Sequence, residues 1–450
     1  MRRIWLVIFM LLAVAWCLAQ PRQPAILPVP ATQPAAIAAS TRPTRAQIDA
    51  LLRQLGDDHW KLRQEAQDKL VRLGEDVIVD LQKLQQETTE EEVRTRAEAA
   101  LREIRANIED GPTQITLHVK DADLRKVFED ISKQAKVRIG FENQPWPQGL
   151  PTVSINVDRQ PFWLVMKEIC DKTGIGPYPY YSQNRDTISL MQGTNFGRYP
   201  GVMNKCFYIT PIGCQRNHSI DFANPQGASI HFSLQIAIYV DPKLRTLRSY
   251  QMAVDSIVDE NGNSLYNGPR GTENASYWNG GSFRRDMSVQ LSYQPNQGKK
   301  IARLKGSTRF VVITKIERWE LSDILTARNI TKDVPFGKCI VKQVTKKSDQ
   351  NYEIQVALEN PPAMAAQAEV AGEHSTVQQS IRLEDANGRS WYSQGGSGSS
   401  SNARRDFTFT YYRQSSGRDG PGIPAKLVWE IPIETKDVSV PIDFRDLPLP

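Results

Sequence analysis

Two stretches of this chain carry one pattern, and that pattern restricts the fold more than any other feature. Ile115, Leu117, Val119, Leu124, Val127, Ile131, Ala135 and Val137 correspond in order to Val153, Ile155, Val157, Phe162, Val165, Ile169, Thr173 and Ile175, every pair 38 positions apart. In each copy the first three residues alternate, the period-two mark of a half-buried strand. The next four recur at helical spacing, and the last opens a second strand. Asp123 is placed to cap the first helix, and Asn143–Pro151, with three prolines, is a loop. The order β-α-β-β-α-β over residues 113–193 puts both helices on one face of a small sheet. The matched positions are those that bury a core. The charged positions differ: Lys120-Asp121 stands against Asp158-Arg159, and Arg125-Lys126 against Trp163-Leu164. The duplication therefore specifies a fold and not an active site. Its unmatched surface, Trp163 included, is the candidate partner-binding surface.

The N-terminus sets an address. Arg2 and Arg3 precede an apolar run from Ile4 to Ala15, and Ala19 precedes Gln20. This charge, core and cleavage order marks residues 1–19 as a secretory signal peptide. The run is shorter than the roughly 20 residues a spanning helix needs. Membrane contact is thus expected only through this segment if it stays uncleaved, and the localisation is periplasmic or secreted. Residues 20–45, rich in proline and alanine, form an extended linker. Losing Arg2 and Arg3 takes the 56 basic residues to 54 against 50 acidic ones, a mild excess with no basic stripe. Nucleic acid is not an expected partner. Four cysteines follow the signal: Cys170, Cys206, Cys214 and Cys339. Cys206 with Cys214 is the candidate disulfide, Cys206 with Cys339 its rival, and no CxxC suggests a metal or redox site.

Residues 46–108 change character, with apolar positions at helical spacing and Gly56 and Gly74 where helices should stop. Arg63, Ala66, Leu70 and Leu73 recur as Arg94, Ala97, Leu101 and Ile104, shifted by 31. The small alanines let helices approach, and the arginines are expected to tie turns together. The Arg-x-x-Ala-x-x-x-Leu pattern resembles the HEAT family of helical repeats. Two repeats are fewer than the three or so needed for independent stability, so this segment should dock on its neighbour. The family resemblance implies protein binding, or a structural cap. The next module, 113–193, carries VKDADLRKVF from Val119 to Phe128 and a later Thr173-Gly174. With these it resembles the short N-terminal domain (STN) shared by secretins and TonB-dependent receptors. Nothing downstream resembles a secretin pore or a receptor barrel. What the resemblance implies is a periplasmic docking module, without gating or transport.

From about Tyr199 the chain is strand-like and again duplicated. IVDENGNSLY at 257–266 recurs as LEDANGRSWY at 383–392, and FRRDMSVQLSY at 283–293 as ARRDFTFTYY at 403–412. Asn261-Gly262 and Asn387-Gly388 are hairpin turn signals. Two tandem immunoglobulin-like β-sandwiches, 199–327 and 332–446, are expected. The fold class is thus multidomain: a helical-repeat segment, an α+β module and two all-β units.

Chemistry is sparse. Asp259-Glu260-Asn261-Gly262-Asn263 looks superficially like a calcium loop, but the closing Glu of such a loop would fall at position 268, which is Gly268. The five histidines are scattered without metal spacing, and neither HExxH nor GxSxG occurs. No catalytic residue, metal or cofactor is expected. The segments Asn267–Phe283 and Ser393–Arg404 read as equivalent loops, with Tyr266, Tyr277, Trp278, Trp391 and Tyr392 in or beside them. Exposed aromatics next to Asn and Gly are what a sugar-binding face uses. The expectation is an exported, non-enzymatic adaptor of a bacterial cell envelope acting on envelope proteins. A carbohydrate-binding protein that takes polysaccharide on the aromatic loops is the alternative.

Overall fold

Helices occupy the N-terminal part of the chain and antiparallel sheets dominate its C-terminal half, so the protein is a mixed α and β fold. The computed structural model describes residues 44–141, 145–178, 187–268, 275–276, 283–359, 374–401, 404–413 and 420–450. Among these, no helix is long and apolar enough to cross a membrane.

Four helices come first: α1 (Arg45–Gln54), α2 (Trp60–Leu73), α3 (Ile78–Glu87) and α4 (Glu91–Asp110). Thr44 and Gln47 cap α1 reciprocally, satisfying backbone donors that a helix start leaves unpaired. Leu55, Ala66, Leu70, Leu81, Ala97, Leu101 and Ile104 bury a common stripe. The shift of 31 is geometric as well as textual. Arg63 donates to the Asp57 carbonyl at 2.7 Å, and Arg94 to the Thr88 carbonyl at 2.9 Å. Each arginine thereby closes the turn that leads into its own helix.

The duplicated module follows as β1 (Gln114–Asp123), α5 (Leu124–Ala135), β2 (Arg138–Gly140), β3 (Thr152–Pro161), α6 (Phe162–Thr173), β4 (Ile175–Pro177) and β5 (Thr187–Gln192). Its strands make two sheets rather than one. β1 pairs antiparallel with β3, while β5 lies between β2, to which it is parallel, and β4. α5 touches β1 and β2, and α6 touches β3 and β4. The helices therefore lie between two sheets, not on one face of a single sheet. The reason is visible in α6, where Phe162, Trp163, Val165, Met166, Ile169 and Cys170 are all buried. Apolar residues on so much of its circumference need cover on more than one side.

The remaining strands are β6 (Val202–Asn204), β7 (Phe207–Asp221), β8 (Asn224–Val240), β9 (Arg245–Tyr250), β10 (Ala253–Asp259), β11 (Ala275–Ser276), β12 (Arg284–Gln290) and β13 (Lys300–Ser322). After these come β14 (Arg328–Val334), β15 (Gly337–Ser348), β16 (Asn351–Glu359), helix α7 (His374–Ser380), β17 (Ile381–Asp385), β18 (Tyr392–Ser400), β19 (Arg404–Tyr412) and β20 (Pro424–Pro448). They form a four-stranded sheet (β12-β8-β7-β6), a six-stranded sheet (β11-β9-β13-β20-β17, with β10 on β13) and a five-stranded sheet (β14-β15-β16-β19-β18).

Two strands are far longer than one core is wide. β13, of 23 residues, and β20, of 25, pair antiparallel from Lys300 opposite Pro448 to Ser322 opposite Lys426. The first half of β13 and the last half of β20 line one core with Ile301, Leu304, Phe310, Val312, Val440, Ile442, Phe444 and Leu447. The other halves line a second core with Trp319, Leu427, Trp429 and Ile431. Register irregularities between Ile313 and Ile316 mark the crossing from one core to the other. The boundary expected near residue 330 is therefore crossed, because the end of the chain returns to complete the first core.

The aligned turns Asp259–Asn263 and Asp385–Arg389 are built alike. Asp259 accepts the N–H groups of Asn261, Asn263 and Gly298 at 2.9, 2.7 and 2.7 Å. Asp385 accepts those of Asn387, Arg389 and Gly422 at 2.8, 2.9 and 2.8 Å. Gly262 and Gly388 take φ of +83° and +76°, which glycine adopts without strain. Each carboxylate is saturated by its own scaffold and pins a distant segment to the turn. Burial works to raise the Asp385 carboxyl, but the donors from Gly422, Arg389 and Asn387 outweigh it and hold the group at about 2. A depressed carboxyl pKa stabilises the fold above its ordinary value and loses that stabilisation as pH falls through the depressed one. Acid titration between about pH 4 and 2 is thus expected to weaken the second core. Asp385→Ala should cost about 1–3 kcal/mol at neutral pH, because it strands buried donors. Urea unfolding of Asp385→Asn that kept the wild-type acid sensitivity would assign it to another group.

Candidate functional site

The two halves of the module are related by a local two-fold axis that runs through the β1–β3 ladder. His118 lies opposite Asn156, its positional equivalent, with Nδ1 and Oδ1 2.7 Å apart. Around this pair the polar contacts repeat with the same spacing. The Arg159 N–H donates to Thr116 Oγ1 at 3.0 Å, and the Asp121 N–H donates to Ser154 Oγ at 2.9 Å. Gln134 Nε2 donates to the Thr116 carbonyl at 3.0 Å, and Lys172 Nζ to the Ser154 carbonyl at 2.8 Å. The backbone repeats too. Asp121 and Arg159 have φ of 48° and 49°, and the helix-ending residues Lys136 and Gly174 have 52° and 69°. Positions that differ in side-chain chemistry therefore keep equivalent places.

The halves diverge in what their outward residues do. In the second half, Arg159 reaches the helical layer, donating to the Leu73 carbonyl and to Asp76 Oδ2, each at 3.0 Å. That carbonyl ends α2, so the guanidinium satisfies a C-terminal acceptor and complements the helix dipole. Trp163, expected on the surface, is only 1% exposed. Its indole N–H donates to the Val240 carbonyl at 3.0 Å, and its ring meets Tyr239 at 5.1 Å and Phe196 at 6.0 Å. It does bind a surface, but that surface is the outer face of the β7–β8 pair. Tyr208, Ala237 and Tyr239 on that face join the module's core, while Phe207, Ile236 and Ile238 point into the first β core. The buried Asp241, next along the chain, accepts the Thr113 N–H at 2.7 Å and the Thr113 hydroxyl at 2.5 Å. Desolvation pushes its carboxyl above the ordinary value, against the donors from Thr113 and Lys243.

In the first half the equivalents face solvent. Asp121 is exposed. Arg125, the counterpart of Trp163, is exposed as well, pairing with Glu129 at 2.9 Å and lying 6.0 Å from the Trp146 ring centroid. One edge of the module is thus consumed inside the molecule and its two-fold mate is open. Thr113 and Asp241 escape the sequence reading, and Arg159 enters it only as part of the unmatched surface. The only textual signal is that Asp121 and Arg159, of opposite charge, occupy one position of the repeat.

The other candidate residues do not converge. Trp391 is 5% exposed, donates its indole N–H to the Gly422 carbonyl at 3.0 Å and meets Tyr352 edge-on at 4.9 Å. It anchors a turn and offers no ring to a sugar. Tyr266 is half-buried against the first β core, and Tyr392 is half-buried at the start of β18. Tyr277 and Trp278 lie outside the described residues. The segment expected as a loop at 393–404 is mostly the edge strand β18, paired with β19. Cys206 and Cys214 are not joined. Cys206 sits in the turn before β7 with its thiol directed to the Gly111 carbonyl, and Cys214 lies along that strand. Extended backbone separates such positions by about 25 Å, far beyond disulfide reach. Cys339 belongs to the second core and is not within the first core beside Cys206.

No protein-family model, curated protein or solved structure matches this chain.

Proposed function

We propose that the chain is an exported, non-enzymatic adaptor of a bacterial cell envelope. It combines HEAT-like helical repeats, an STN-like module and two immunoglobulin-like β-sandwiches that share the β13–β20 ladder instead of following in tandem, and it works by protein–protein contact. The single observation that carries this reading is the asymmetric use of a two-fold module. The Arg159 and Trp163 side hold the helical layer and the first β core, whereas the equivalent Asp121 and Arg125 side is exposed. An edge already able to dock a helix terminus, presented a second time with an acid in place of the arginine, suits a protein partner that offers a cation or a helix N-terminus. The buried carboxylates Asp241, Asp259 and Asp385 support the non-enzymatic reading, since each is held by backbone donors of its own scaffold.

The test is photo-crosslinking in the native envelope from residues placed at Lys120 and Lys126, with Thr435 as an exposed control position. Discrete adducts are expected from the first two sites and not from the third. They should disappear on Asp121→Arg. Adducts that ignore this reversal, or none at all, would remove the site.

A further inference from the structure

We infer that β18 is a self-pairing edge, through which two copies of this chain join their five-stranded sheets antiparallel about a two-fold axis. An edge strand offers a row of unpaired backbone donors and acceptors, and proteins normally blunt it with charge, proline or brevity. Most edges here are blunted in those ways. β2, β4 and β6 have three residues each and β11 has two. β12 carries Arg284, Arg285 and Asp286; β14 carries Arg328, Lys332 and Asp333; β17 carries Arg382, Glu384 and Asp385. β1 and β3 carry Asp121 and Arg159.

β18 departs from all of them. Its nine residues, YSQGGSGSS, contain neither a charged residue nor a proline. Its register to β19 is uninterrupted from Gly395 to Ser400. Helix α7 reaches it through Gln378, which donates to Ser393 Oγ at 3.0 Å, and through His374 beside Gly398. Among the described residues no strand pairs with its other side, and Ser397 and Ser399 stay exposed. Packing explains part of the composition. A Cβ at Gly396 would approach the Thr408 carbonyl to 2.3 Å, and one at Gly398 would come within 3.0 Å of the Phe407 ring. Gly395, where a Cβ would meet open space, stands at the register shift after Ser393, a place where strand glycines commonly mark a bulge. From Gly396 to Ser400 the edge therefore offers only glycine and serine to an incoming backbone.

The sequence also selects the occupant. Strand addition takes its affinity from main-chain hydrogen bonds and its specificity from pockets for alternate side chains. Glycine and serine provide no pockets, so β18 has no means of choosing a foreign peptide. A second β18 meets no such obstacle, having no like charges to oppose and no bulky side chain between Gly395 and Ser400. Closed two-fold pairing is also the commonest form of self-association. Cross-strand neighbours share a face. In any two-fold register, the outward Ser397 and Ser399 of one copy therefore oppose outward residues of the other.

Edge pairing over so short a strand buries less than the roughly 1,000 Å² of a stable interface. A weak dimer follows, with a dissociation constant on the order of 10–100 µM. Sedimentation equilibrium of the full chain should show this monomer–dimer equilibrium. Ser397→Lys with Ser399→Lys, which places like charges face to face, should weaken it at least tenfold without changing the circular dichroism or the melting temperature. Ser397→Thr with Ser399→Thr, which keeps the strand uncharged, should dimerise as the natural chain does. A wild-type chain that stays monomeric at several hundred micromolar overturns the proposal. So does a dimer that the two lysines leave intact. A monomer whose β18 amides become protected only on adding a foreign strand would assign the edge to another protein and overturn self-pairing.

Discussion

Removing residues 435–450 is expected to unfold the first β core while the second keeps its strands. The deletion takes away Val440, Ile442, Phe444 and Leu447, all buried in the core formed by β7, β8, β10, β12 and the first half of β13. Each such side chain contributes about 1.5–3 kcal/mol by burial, and the set rivals the entire net stability of a typical domain, about 5–15 kcal/mol. The deletion also exposes the length of β13 from Lys300 to Ile313 as a new edge. Hydrogen exchange would locate the damage. Amides of β7, β8 and β12 should lose protection, whereas those of β15, β16 and β19 retain it. Protection lost only from the second set would mean that the chain divides near residue 330, as the linear order of the repeats suggests.

Trp163→Ala should produce the largest effect of any single substitution in the module, about 3–5 kcal/mol. The loss combines a fully buried indole, its contacts with Tyr239 and Phe196, and the hydrogen bond to Val240. Trp163→Phe keeps most of the packing and should cost about 1–2 kcal/mol, near the value of the hydrogen bond alone. The distinguishing readout is cooperativity. If Trp163 couples the module to the β7–β8 pair, the alanine variant melts in two transitions where the natural chain melts in one. A single transition at lowered temperature would make the indole a stabiliser of its own helix and no more.

Much of the local architecture is legible in the residues. Ile115, Leu117, Val153 and Ile155 alternate because one face of their strands is buried, and all four are buried. Arg63 and Arg94 close equivalent turns, as their common spacing suggests. What escaped depends on the next layer out. Trp163 looks like an unmatched surface residue because its counterpart is Arg125, and nothing along the chain announces that a second sheet covers α6 there. β18 reads as a loop because glycine and serine have little strand propensity, and its pairing is imposed by β19. The alternation from Val438 to Phe444 in β20 is plain, but periodicity cannot say that the two ends of this strand belong to different cores. For the proposed docking edge, the sequence holds the residues Asp121 and Arg125 but not the axis that makes them equivalent to Arg159 and Trp163.

The shared ladder of β13 and β20 also fixes an order of events. A core whose closing residues run from Val438 to Leu449 cannot form while those residues are still being synthesised. Folding of this region therefore waits for residues more than two hundred positions downstream of Phe207, where its first long strand begins. Chains usually fold domain by domain as they emerge. This one must hold β7, β8 and β13 incomplete until the residues from Val438 to Leu449 have been made.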